Sequence, residues 1–159
     1  MTEEERKELL LKDLCTRLPY RVKVYAEYID TDIEVEKVGV LSMVDNDTII
    51  AFTCDDMNCY NYVAIHEVKP YLFPLSSMTE EQKEELITIT NGKFRCMLGD
   101  INNAIPGKNT GEWEVSENAY INSIKVINIL YIWLLKNHFD INGLIPMGLA
   151  IDATGLNIY

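Results

Sequence analysis

Apolar residues mark out the elements of this chain by their spacing. Leu9, Leu10, Leu14 and Leu18 recur at helical intervals behind three acidic residues, so the chain is expected to open with an amphipathic helix over about residues 3–17. Thr2 followed by Glu5 is a capping-box pattern for its start, and Pro19 ends it. From Arg21 the period changes to two. Val22, Val24, Ala26 and Tyr28 alternate with Lys23, Tyr25 and Glu27, the mark of a half-buried strand. Asp30-Thr31-Asp32 reads as a turn, and a second strand follows from Ile33. Its apolar phase slips beyond Lys37, which predicts a bulge near Lys37 or Gly39. Asp45-Asn46-Asp47 connects to a returning strand over Thr48–Thr53, Cys54 to Asn61 reads as a polar loop, and Tyr62–Val68 is a fourth strand closed by Pro70.

The second half reads as helical. Pro70 and Pro74 bracket an extended connector; Thr79 with Gln82 caps a helix from Glu80 to about Ile89, stopped by Asn91-Gly92. Phe94–Leu98 and Glu112–Val115 are candidate short strands around a loop over Asn102–Gly111. Ser116 is placed to cap a last helix, whose second half is apolar all round and is therefore expected to be central to the core. Lys136 and His138 lie at its negative end. Asn142-Gly143 turns the chain, Leu144, Ile145, Met147 and Leu149 return across the core, and the ending GLNIY is a candidate edge strand. The fold class expected is α+β: a small curled antiparallel sheet or barrel-like meander of about four strands over residues 21–69, an N-terminal helix, and two further helices. A single domain is expected over 1–159, with the N-terminal helix in 1–18, the β-rich part in 21–69, and a helical part in 79–153 carrying an irregular insertion near 88–115.

Charge narrows the function. The 25 acidic and 14 basic residues give a formal charge of −11. Nucleic-acid binders neutralise phosphates with clustered Lys and Arg, which this chain lacks, so direct phosphate binding is not expected. Anionic membrane surfaces are disfavoured for the same reason. The charge reads first as solubility; the sharper reading is an acidic face, with Glu3, Glu4, Glu5, Asp30, Asp32, Glu34 and Glu36 as contributors, that meets a basic partner or mimics nucleic acid. The start MTEEERKELLLKDL is acidic, unlike a signal peptide, and the longest apolar run, Ile129–Leu135, is too short to span a membrane. A cytoplasmic location is expected, with Cys15, Cys54, Cys59 and Cys96 as free thiols.

Candidate chemistry is thin. Cys54 and Cys59, with His66 and Cys96, are the residue types of a zinc site, but their spacing is poor for one. Asp45, Asp47, Asp55 and Asp56 lack the spacing and glycine of a calcium loop. Cys15 or Cys96 as a nucleophile with His66 or His138 as base follows no known order. His138 and Asp140 flank Phe139 and are candidates for an acid–base pair, set against a helix-terminal histidine that complements the dipole and ordinary turn chemistry. His66 sits on the predicted fourth strand, where a half-buried structural histidine is the competing reading. Tyr20, Tyr25, Tyr28, Tyr60, Tyr62 and Tyr71 cluster in the β half, as strands commonly have them and as protein-binding faces do.

The runs DLCTRLPYRVKV (Asp13–Val24), VKPYLFPLSSMTEEQKEE (Val68–Glu85) and WLLKNHFDINGLIPMGLAIDA (Trp133–Ala153) resemble a family of small uncharacterised proteins of Bacteroides-type gut bacteria and their phages and mobile elements. The resemblance covers about half the chain, and the section from Thr88 to about Lys125 diverges from it. It implies a bacterial or phage cytoplasm and a role outside core metabolism, and it carries over no activity, cofactor or catalytic residue to this chain. The function expected is a non-enzymatic protein that binds or modulates another protein. The alternatives are an enzyme or nucleotide-binding protein with an unfamiliar site, and a phage assembly component.

Overall fold

The computed structural model describes residues 1–30, 32–45, 49–54, 60–90 and 117–159. They form two compact units, one of Met1–Ser77 with Leu134–Tyr159 and one of Met78–Trp133. Cys59, Cys96, Asp47, Asp55, Asp56, Ser116 and the segment 91–115 lie outside the described residues, and with them the two candidate short strands and their loop.

The first unit opens with α1 (Glu3–Arg17). Thr2 and Glu5 make the expected reciprocal cap, and three glutamates fill the first turn. A 3-10 turn at Leu18–Tyr20 carries Pro19, and Arg21 leaves it in a left-handed conformation, φ 57°. The strands follow as β1 (Lys23–Asp30), β2 (Ile33–Val44), β3 (Ile49–Thr53), β4 (Tyr60–Ala64), β5 (Val68–Leu72) and β6 (Ile151–Asp152). Their order is β4-β3-β2-β1-β5-β6, an open sheet that is antiparallel except for the β5–β6 pair.

The α+β class with an N-terminal helix is thus the observed one. The sheet differs from the four-stranded meander in two ways. Pro70 does not close the β part, because β5 runs through it: Pro70 is the last residue paired with β1, and only Tyr71 and Leu72 pair with β6. A proline lacking its N–H is tolerated where one ladder ends. The sixth strand then arrives from the far end of the sequence, at Ile151–Asp152 rather than at GLNIY. The bulge falls between Leu41 and Met43, beyond Gly39. Gly39 instead allows a close approach of strands. A Cβ there would lie 2.6 Å from Phe52 Cδ2 and 2.6 Å from the Thr53 carbonyl oxygen.

One face of the sheet carries Val24, Ala26, Leu41, Ile50, Phe52, Val63, Val68 and Leu72, buried with Leu10 and Leu14 of α1 and Leu144 and Ala150 of the C-terminal segment. That return of Leu144 into the core follows the sequence expectation. In the second unit, α2 (Glu80–Ile89) has the expected Thr79–Gln82 capping box and buries Leu86. The last helix, α3 (Glu117–Lys136), belongs to this unit up to Trp133. Its expected all-round burial is corrected. Val126 and Trp133 are buried, but Ile124, Ile127, Ile129, Tyr131 and Ile132 are exposed. An apolar surface records what a helix carries, not how many neighbours surround it; Leu135 is buried as well, so among the described residues the cover is neither complete nor confined to one stripe.

Candidate functional site

Two places in the sheet unit concentrate polar chemistry. The first is where α1 meets the C-terminal segment. Asp13 and Arg17, one helical turn apart, are both fully buried. Arg17 Nε donates to Asp13 Oδ2 at 2.6 Å and Nη2 to Oδ1 at 3.1 Å, while Nη2 also donates to the Phe139 carbonyl at 2.8 Å. Asn142 Nδ2 donates to Asp13 Oδ1 at 2.8 Å. The pair therefore ties the N-terminal helix to the turn after α3. Apolar periodicity missed it, because Asp13 and Arg17 share the helix face of Leu10 and Leu14. The i,i+4 spacing of opposite charges was the available signal.

His138 and Asp140 border this knot without forming a pair. The Phe139 N–H donates to the Leu134 carbonyl and the His138 N–H to the Leu135 carbonyl, the two bonds of a Schellman helix end. His138 takes the left-handed position of that motif, φ 60°. Its ring stacks on Tyr159, centroids 4.0 Å apart and planes 12° apart. Burial, helped by the Arg17 charge, pushes its pKa down to about 4. The ring is then neutral at pH 7, so the helix-dipole reading of a cationic His138 is corrected: its backbone ends α3, and its side chain covers Tyr159. The Tyr159 hydroxyl donates to the Tyr71 carbonyl at 2.7 Å and accepts from the Lys23 N–H at 3.1 Å, and burial raises its pKa. Asp140 spends both carboxylate oxygens on backbone, accepting from Leu144 N–H at 2.8 Å and Ile145 N–H at 2.9 Å. A carboxylate so occupied shapes a turn.

His66 is also displaced from its expected strand. β4 ends at Ala64, and His66 lies exposed in a 3-10 turn, Ile65–Glu67, whose Glu67 carboxylate accepts the Ala64 N–H at 2.8 Å. The strand pattern misled because Ile65 and Val68 are both buried, a spacing of three that belongs to a turn. Cys15 is exposed and Cys54 half-buried, both free thiols. Among the described residues no three histidine, cysteine or carboxylate side chains gather as metal ligands.

The second place is the sheet face opposite the core. Cross-strand register sets Tyr25 beside Val38, Val40 beside Thr53, Met43 beside Ala51, and Thr53 and Ala51 beside Tyr60 and Tyr62. Tyr60 and Tyr62 are 58% and 62% exposed, their rings 6.4 Å apart, and Val38, Met43 and Ile49 are exposed on the same face. Glu27 and Glu36 oppose each other directly, and Glu34 opposes Ile29 further along the same pair of strands. Like charges directly opposite weaken a sheet. Desolvation, a hydrogen bond to Glu36 and the nearby carboxylates push the Tyr25 pKa up to about 12. A cleft of about 400 Å³ opens at this end, lined among others by Tyr25, Glu27, Glu34, His66, Glu67 and Lys69.

Among the described residues no helix is long and apolar enough to cross a membrane. Comparison of the chain with protein-family models, curated proteins and solved structures finds no match.

Proposed function

We propose that this is a non-enzymatic protein of the phage or mobile-element type that acts in the cytoplasm by binding another protein. The binding surface is the outer face of the sheet, and the partner presents a basic patch around an apolar centre. One observation carries the reading: tyrosines and aliphatic side chains stand exposed in adjoining rows beside two glutamates, Glu27 and Glu36, that face each other across the strands. Tyrosine is a favoured anchor of protein interfaces, with a large contact area and a polar tip. The opposed Glu27 and Glu36 would be relieved by an incoming Lys or Arg, and the net charge of −11 steers such a partner to the surface.

The test is affinity capture from a Bacteroides-type host lysate, with the wild-type chain beside Tyr62→Ala and Glu36→Lys. Both substitutions lie on an exposed face, so folding should be unchanged by circular dichroism. A basic protein retained by wild type, lost from both variants and released by salt is the expected result. Capture of the same proteins by all three chains would refute the assignment of this face.

A further inference from the structure

We infer that a second cleft, beside α1, binds a small organic anion. It measures about 250 Å³ and is lined by Glu3, Arg6, Lys7 and Leu10 of α1, His66 of the 3-10 turn, Val68 and Lys69 of β5, and Gly148 and Leu149. The chain is strongly acidic, yet this lining sets three permanent cations and a histidine against a single carboxylate. A concave surface lined by one sign of charge focuses its field on a ligand of the opposite sign. The floor is apolar: Leu10 and Val68 are buried, and Leu149 is half-buried. A cationic rim over an apolar floor suits a carboxylate or phosphate on a compact hydrophobic body. The volume lies below the roughly 300–1,000 Å³ of sites for drug-sized ligands, so that body is small.

Arg6 and Lys7 keep capacity for a ligand. The Arg6 guanidinium donates through Nη2 to the Met147 carbonyl. Met147 lies in a turn in which Leu149 N–H reaches the Leu144 carbonyl and Gly148 N–H the Ile145 carbonyl. That bond fixes the guanidinium at the cleft while its planar fork carries further N–H groups. Lys7 Nζ stands 3.7 Å from Glu3 Oε1, longer than a charge-assisted hydrogen bond, and the Glu3 side chain is 84% exposed. An entering anion therefore displaces a loose, water-washed partner. Gly148, at φ 71° with open space where a Cβ would stand, leaves the mouth unobstructed.

The cleft shares His66 and Lys69 with the one beside Tyr25, but Arg6 and Lys7 line this cleft alone, so a change at Lys7 separates the two sites. It is tested on the full ¹⁵N-labelled chain by titrating benzoate, phenyl phosphate and inorganic phosphate to about 10 mM, ten times a 1 mM Kd. The expected result is saturable amide shifts at Arg6, Lys7, His66, Lys69 and Leu149 with one or both aromatic anions, whose ranking assigns carboxylate or phosphate as the head group. Lys7→Gln, which leaves the Arg6–Met147 bond in place, should weaken binding about tenfold, the loss of one charge-assisted contact. Lys83→Gln, on α2 and paired with Glu80 rather than lining the cleft, should bind as wild type does. Absence of saturable shifts, equal affinity of Lys7→Gln and wild type, or inorganic phosphate binding as tightly as phenyl phosphate would each overturn the inference.

Discussion

Removing either partner of the Asp13–Arg17 pair should be the most damaging single change in the sheet unit. Arg17→Met keeps most of the side-chain volume and deletes the charge. It removes two hydrogen bonds to the Asp13 carboxylate and one to the Phe139 carbonyl, leaving the Asn142 amide as the side-chain donor to a fully buried carboxylate. Breaking a buried pair from one side costs about 3–5 kcal/mol, because the survivor stays in the interior with its charge uncompensated. Against a typical total stability of roughly 5–15 kcal/mol, that brings the unit close to its threshold. Asp13→Leu should cost a similar amount by stranding the guanidinium. The double variant Asp13→Leu/Arg17→Met should recover most of the loss, since replacing a buried pair with apolar groups of like volume is often neutral or stabilising. Urea unfolding followed by far-UV circular dichroism on the four chains gives the coupling energy as a double-mutant cycle. A loss under about 1 kcal/mol for Arg17→Met, or a double variant as weak as the sum of the singles, would refute the claim that the two buried charges stabilise each other.

Two further outcomes follow from the same geometry. Gly39→Ala should destabilise by about 1–3 kcal/mol in the same urea assay, despite the entropic gain of losing a glycine, because its Cβ would meet the Thr53 carbonyl oxygen of the adjacent strand at 2.6 Å; an unchanged midpoint would contradict that contact. His138 has its folded pKa pushed down from 6.5 to about 4, so between these values the unfolded chain binds the extra proton. The stability that depends on neutral His138 is complete above pH 6.5 and is lost as the pH falls toward 4. The ring is partly exposed, which reduces the effect to on the order of 1 kcal/mol. His138→Phe should flatten the stability profile between pH 6.5 and 5; an identical slope in the variant would show that another group titrates there.

Much of the fold was legible because it is local. The boundaries of α1 and α2 follow from capping residues three positions apart, Thr2 with Glu5 and Thr79 with Gln82, and β1 follows from strict alternation. The α+β class rested on nothing more remote. What only the tertiary structure decided is every feature whose partner lies far along the chain. Pro70 looks like a strand terminator until β6 arrives beside Tyr71 and Leu72. Asp13 and Arg17 look like solvated helix charges until Phe139 and Asn142, more than a hundred positions on, close over them. His138 reads as a helix-end group that complements the dipole until Tyr159 stacks on its ring and burial lowers its pKa. The cleft joins Arg6, Lys7 and Leu10 of α1 to Val68 and Lys69 of β5, two stretches about sixty positions apart. Caps and alternation are settled between neighbours by hydrogen bonds and side-chain direction, whereas burial and converging charge depend on which distant segments fold together.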